Sequence, residues 1–465
     1  MEAENREILY IYFGYSRRRL AVYSPRTYIQ DFFKIEVITM TAGIRRMLCL
    51  LLCLCTLGLL VPPAGAEETG TARDITNDAA IDAHQGFDQR SRLFDHVHTI
   101  PANYPDHAWL TVSYPEGIGS VYLIFHNAYG IYTVTDNGTG QVAELGQNGF
   151  QHDFVDLEAL FGSAPTSITL SFDNGPLYLN ELYLFSPGQA PDFVQRGEPP
   201  AEGNADLLLF SAHGDDEQLF FAGIFPYYAG ELGRKVQVVY LTNHENTMPE
   251  RRHEMLDGLY ACGVTTYPVF GTFRDLKSQS LQGAYSHMAY FDISPEDLLG
   301  FVVEQLRRFK PKVAVTHDVN GEYGHGQHML LADLLMQACQ ISQDPQQYPA
   351  LAEQYGVWDV PKTYLHLYPE NEIVLDWDVP LSRFDGMTAF EVSRDLGFAC
   401  HKSQVDYFRW YYSQGTCAKD IKQYSPCYYG LYRSTVGPDI QKNDFFENTD
   451  AHARAQRNWA LPRRT

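Results

Sequence analysis

Hydrophobic and polar positions along this chain fall into two regimes. Between residues 85 and 190 the apolar runs are short: HAWLTVSYP, GSVYLIFHNA, GIYTVTDNG, TSITLSFDNG and LYLNELYLFS. They are rich in Val, Ile, Tyr, Phe and Thr, and Gly, Asn, Asp and Pro separate them. Short β-prone runs punctuated by turn residues predict an all-β sandwich, jelly-roll-like in pattern. Its tyrosines read mainly as core; exposed ones would make a glycan-binding platform. Residues 191–203, with concentrated Pro and Gly, read as a linker. From 204 the pattern changes. ADLLLFSAH, VQVVYLTN, TTYPVFG and KVAVTHD read as strands. Residues 217–232, PERRHEMLDGLYACG, SPEDLLGFVVEQLRRFKP with its Ser cap, and HMLLADLLMQACQ read as helices. This alternation predicts an α/β domain over 204–465, built on a Rossmann-like parallel sheet. The Tyr-rich, irregular stretch beyond about 342 is expected to complete that domain and to wall its pocket.

The first 84 residues stand apart from both regimes. Arg45 and Arg46 precede MLCLLLCLCTLGLLV, and a small-x-small sequence follows at Ala64-Gly65-Ala66. A basic start, a short apolar run and such a site describe a signal peptide from Met40. The run falls short of the roughly twenty residues that a membrane span needs. Residues 1–66 are therefore expected to be an upstream extension plus leader, 67–84 a polar linker, and the mature protein secreted with no stable membrane insertion. Cys262, Cys339, Cys400, Cys417 and Cys427 follow the leader. Cys417 and Cys427 flank a short segment and are the best disulfide pair; the odd number leaves at least one free thiol. The absence of CxxC argues against a cysteine zinc site.

Composition narrows the partners. A formal net charge of −22 is a poor match for a phosphate backbone, so no nucleic-acid partner is expected. A hydrophobic content of 45% suits a large globular core rather than a disordered chain.

Candidate chemistry sits at two predicted strand ends, where ligands of parallel sheets gather. SAHGDDEQLFF carries His213, Asp215, Asp216 and Glu217 directly after an apolar run. Carboxylates there are costly unless paired or bound to a cation. The bland reading is a helix N-cap, with Glu217 capping too. VTHDVNGEYGHGQH ends another strand and carries His317, His325 and His328. Together the two clusters offer two imidazoles and one carboxylate, the donor set of an open catalytic zinc site. Asp215, turned away from its neighbour, is freer to act as a base on water. His244, His253, His287 and His317 read as packing or surface histidines, His317 with a supporting role as the alternative.

AHGDDE resembles the AHPDDE signature of the PIG-L/LmbE de-N-acetylases, and YGHGQH resembles their second metal motif, usually HPDH. The RxxE helix (Arg251 to Glu254) and HKSQ at 401–404 extend the similarity. The resemblance implies zinc, or ferrous iron, held by His213, Asp216 and His328. It implies Asp215 as general base, and His325 as the group that stabilises the oxyanion or protonates the leaving amine. Arg251 and Asp275 match sugar-binding positions, and Tyr323 would close over the scissile amide. The implied activity is removal of N-acetyl groups from an N-acetylglucosamine-type glycan or glycoconjugate. An O-acetyl esterase or other amidase with the same site, and a non-catalytic glycan-binding protein, are the alternatives. Two departures stand out: Gly214 replaces the usual Pro, and Gln327 replaces an Asp that would hold His325. Glu322 is the candidate substitute for that Asp.

Overall fold

The computed structural model describes residues 70–84, 90–244 and 248–449. The extension and leader expected over 1–66 lie outside them. Strands β1 (Ala80–Ala83), β2 (Ala102–Tyr104), β3 (Ala108–Ser113), β4 (Ser120–Phe125), β5 (Tyr132–Asp136), β6 (Val142–Leu145), β7 (His152–Asp156), β8 (Ser167–Phe172) and β9 (Leu177–Phe185) form two antiparallel sheets. Their orders are β1-β3-β8-β5-β6 and β2-β9-β4-β7. One core joins them, with Leu110, Val112, Leu123, Val134, Leu170 and Leu182 buried in it. β3 alternates buried and half-buried side chains, as a sheet with one wet face requires. β4 is buried throughout, because its other face packs Tyr122 and Ile124 against Ala190 and Val194.

The stretch expected as a linker over 67–84 is part of these sheets from Thr71 onward. Thr71 bridges Gln189, Asp74 bridges Phe185, and β1 forms the sheet edge against β3. Ile75 and Ile81 enter the core. Two isolated apolar residues among polar ones carry too little periodicity to reveal this.

The second part is built on β10 (Leu207–Ser211), β11 (Val236–Thr242), β12 (Val269–Phe273), β13 (Val313–Thr316), β14 (Lys362–His366), β15 (Glu372–Val374) and β16 (Tyr428–Ser434). The sheet order is β12-β11-β10-β13-β14-β16-β15. The five strands from β12 to β14 are parallel, and β16 and β15 close the edge antiparallel. β10 reads as a continuous apolar run because it is covered on both faces. Leu207 and Leu209 enter one core; Leu208 and Phe210 enter the other. The helix Pro295–Phe309 begins as its sequence predicts, with reciprocal hydrogen bonds between Ser294 and Asp297.

Two expectations fail here, and a third holds in that the tail beyond 342 completes the domain, though not as irregular chain. The continuous helix over 217–232 is broken: a short helix, Asp216–Leu219, is followed by turns and then by wide turns over Phe225–Glu231. Gly223, with φ 92°, makes the break, and a Cβ on it would overlap the Trp377 ring. The irregular tail beyond 342 supplies three strands of the main sheet. Cys417 and Cys427 form no disulfide; both are free, and Cys427 is buried within the main sheet's core cluster while Cys417 donates to Asp420. Among the described residues no helix is long and apolar enough to cross a membrane.

The two parts meet along the helix Glu250–Ala261. His152 and Asn180 reach His253, Gln195 Nε2 donates to Asp257 Oδ1 at 2.6 Å, and Phe150 stacks on Tyr267 at 4.5 Å.

Candidate active site

β10 delivers Ala212 to Asp216 at the carboxyl edge of the sheet, and β13 delivers His317 beside it. A third arm, His325 to His328, opens the helix Gly326–Ile341. These turns bring His213, Asp216 and His328 together in a buried triangle. His213 Nδ1 lies 3.1 Å from Asp216 Oδ2, His328 Nε2 lies 3.2 Å from the same oxygen, and the two nitrogens are 3.3 Å apart. Tetrahedral ligands at about 2.0–2.2 Å from an ion stand about 3.3–3.6 Å from one another, so the triangle fits a cation.

Outer hydrogen bonds fix which ring nitrogens face inward. Gln327 Nε2 donates to Arg274 O, and its Oε1 accepts from Leu276 N and from His213 Nε2 at 3.0 Å. His328 Nδ1 donates to Glu322 Oε2 at 2.7 Å. Each ring thus turns a lone pair toward the carboxylate, the arrangement that metal ligands need. Without a cation the triangle draws in protons instead. Burial opposes it, but Asp275 and Asp216 hold His213 well above its ordinary pKa. Against burial, Asp216 likewise lifts His328 to about 9. Asp216 itself is held well below the carboxylate range by His328 and His213, although burial works the other way. The site is built for positive charge.

Asp215 sits beside the triangle with φ 129°, a conformation few non-glycine residues adopt. It occupies the N-cap position of Asp216–Leu219, yet its side chain makes no capping bond, so the bland reading fails for it. Glu217 does cap, as expected, by reaching back to the N–H of the N-cap residue. Its Oε2 accepts from Asp215 N at 2.7 Å, and its Oε1 lies 2.8 Å from His401 Nε2. Burial pushes Asp215 up to about 7; Arg251, 3.4 Å away, pulls the other way. Arg251 also donates to Gly214 O and lies 3.8 Å from Asp275. Asp275 is half-exposed and 3.4 Å from His213 Nε2. Ser403 bonds Glu254 through both its N and Oγ, so HKSQ docks on the RxxE helix. Gly214 packs so closely on Met255 that any Cβ there would overlap the thioether.

In space the departure at Gln327 resolves: its side chain serves His213, not His325. Glu322 does not substitute for the missing Asp. It accepts from three Nδ1 atoms, those of His317 (2.9 Å), His328 (2.7 Å) and His366 (2.6 Å). Among the described residues His325 has no hydrogen-bonded carboxylate partner. Its Nδ1 accepts from Gln327 N at 3.3 Å, leaving Nε2–H as a donor, and burial with nearby His213 lowers it to about 3. Tyr323, at φ 45°, lies over His325 and His328 with ring centroids 5.6 and 5.4 Å away.

Sequence reasoning missed His366 and underrated His317. His317 Nε2 accepts from Ala212 N at 2.9 Å and lies 3.6 Å from Asp216, so it braces the loop. His366 lies in β14, within the stretch that carries no recognisable motif. It meets two acceptors, Glu322 Oε1 and, at 2.9 Å, Ser425 O.

Residues 208–339 match the family described as "PIG-L: GlcNAc-PI de-N-acetylase". The chain is 29% identical over 233 residues to 1D-myo-inositol 2-acetamido-2-deoxy-alpha-D-glucopyranoside deacetylase 1 of Catenulispora acidiphila, covering 44% of this chain and 71% of that protein. It is 23% identical over 303 residues to the Streptomyces scabiei deacetylase of the same description, covering 54% and 92%. N,N'-diacetylchitobiose deacetylase from Pyrococcus horikoshii superposes with a TM-score of 0.33 at 15% identity, over 49% of this chain and 83% of that one.

Proposed function

From the PIG-L family domain that residues 208–339 form, we propose that this protein is a metal-dependent hydrolase that removes the N-acetyl group of an N-acetylglucosamine-type sugar in a glycan or glycoconjugate. The observation that carries the proposal is the lone-pair triangle of His213, Asp216 and His328 with Asp215 beside it. A divalent cation bound there, zinc or ferrous iron, supplies Lewis-acid polarisation of the acetyl carbonyl.

The remaining steps belong to the protein. Asp215 takes the proton of the attacking water on a carboxylate oxygen, which its burial makes basic enough near neutral pH. Arg251 keeps that carboxylate aimed and, with Asp275, offers hydrogen bonds to sugar hydroxyls. His325 enters as a neutral ring whose Nε2–H donates to the developing oxyanion. The proton taken by Asp215 then passes to the leaving amine. This assigns His325 the first of its two expected roles. Tyr323 covers the reacting amide and limits access of bulk water. The leader-like stretch over 40–66 supports export, and the paired N-terminal sheets are read as a jelly-roll-like sandwich that engages the glycan.

The test is acetate release from N- and O-acetylated sugars by zinc-loaded full chain, beside Asp215→Asn. Release from N-acetyl substrates that collapses in the variant supports the reading. Release from O-acetyl esters alone replaces it with the esterase alternative, and equal release by both proteins removes Asp215 as the base.

A further inference from the structure

A second cluster of imidazoles lies where the N-terminal sheets meet the helix Glu250–Ala261. His98 comes from the loop before β2, His152 from β7 and His253 from the helix. One nitrogen from each lies within 4.8 Å of the other two, and His152 Nε2 to His253 Nδ1 is 2.8 Å. The ring centroid of His98 is 5.9 Å from that of His152 and 5.1 Å from that of His253. His152 and His253 are fully buried, and His98 partly so.

We propose that His98, His152 and His253 form a second metal site, structural in role, that clasps the helix Glu250–Ala261 to the N-terminal sheets. The fitting ion is a divalent transition metal that favours imidazole, zinc first. The outer partners suit this use. His152 Nδ1 meets Tyr122 OH at 2.8 Å; with Nδ1–H donating to that oxygen, the Nε2 lone pair faces the cluster. His253 Nε2 meets the Asn180 amide at 3.1 Å. The nitrogen and oxygen of such an amide are assigned by their hydrogen bonds alone. As placed, Asn180 Nδ2 also donates to His98 O, and Asn180 Oδ1 is buried without a partner. Turned over, the amide loses the bond to His98 O. Its oxygen then accepts from His253 Nε2–H, and His253 Nδ1 is left with a lone pair. Burial, aided by neighbouring cations and rings, keeps all three histidines below their ordinary pKa and therefore in the neutral form that ligates. The same atoms without an ion make a hydrogen-bonded chain, from Asn180 through His253 and His152 to Tyr122; the 2.8 Å His152–His253 contact is a bond of that chain and opens to about 3.3 Å when an ion enters.

The ion would act at a distance from the chemistry. His253 lies two positions from Arg251, which holds Asp215 on the opposite side of the same helix. A clasp at His253 therefore fixes the element that aims the base.

Zinc content of the full chain separates the two readings without reference to activity. After loading and dialysis, two equivalents are expected in the wild type. His213→Ala should keep one, and X-ray absorption should show that ion surrounded by imidazole. Adding His98→Ala should remove it while circular dichroism stays unchanged. One equivalent in the wild type and none in His213→Ala would overturn the proposal, leaving a hydrogen-bonded histidine chain. Zinc in His213→Ala that survives His98→Ala and His253→Asn would overturn it as well. If the His98 variant does not fold, the cobalt(II) spectrum of His213→Ala decides alone. An intense tetrahedral band supports the site, and its absence rejects it.

Discussion

Asp215 shows how a single side chain is tuned by opposing surroundings. Burial raises it to about 7, and Arg251 resists that rise. As a base it must be ionised, so activity falls as pH drops through its pKa. An acid limb at or below about 7 is expected, because a cation in the triangle lowers it further. Arg251→Met removes the resisting charge and should move the limb upward by about one pH unit or more, read from kcat/KM against pH. Glu322 tunes by geometry instead. With three imidazoles on one carboxylate, Glu322→Gln should weaken metal binding about 10–100-fold in a chelator competition, with the fold retained. Much of this was legible from residue types. His213, Asp215, Asp216 and His328 sit where their motifs put them. The partners of Gln327 and Glu322 were not, because a side chain's direction depends on tertiary neighbours that spacing does not encode. His366 had no local motif at all.

At the level of elements, legibility followed periodicity. The helix Pro295–Phe309 carries a strong apolar stripe and a capping box, and both appear in place. The stretch 217–232 is apolar on every side, so its composition favours a helix while nothing in its period marks a break. The break is at Gly223, where a positive φ and the Trp377 ring together exclude a side chain. Gly223→Ala should therefore destabilise by about 2 kcal/mol or more, from backbone strain plus overpacking. Urea unfolding would show it as a lower midpoint at unchanged slope. The short strands β14 to β16 escaped notice because tyrosines and turn residues interrupt their runs. Sheet pairing, not sequence period, makes them strands.

For the whole molecule, the junction between the sheets and the α/β part matters as much as either core. The 2.8 Å contact of His152 with His253, the bond from Gln151 N to Tyr267 OH and the Phe150–Tyr267 stack all cross it. Removing residues 70–190 would expose His253, which the intact chain buries. The shortened protein should melt at least about 5 °C lower, as a loss of a few kcal/mol implies for a domain of this size. Calorimetry of both forms at equal metal loading would check this. The two-part organisation itself was visible as a change of hydrophobic period near residue 204. The outer boundary was not: the first strand and its bridges begin at Thr71, in sequence that looks like a spacer.

Gly214 and Met255 make a lock. A Pro at this position, as in the AHPDDE signature that AHGDDE resembles, needs room that Met255 fills, since even a lone Cβ would meet its sulfur. Gly214→Pro alone should destabilise, because the Met255 side chain must swing aside, whereas Gly214→Pro with Met255→Ala should recover part of the loss. The two changes are therefore epistatic, and a double-mutant cycle would measure a coupling of opposite sign to the single effects.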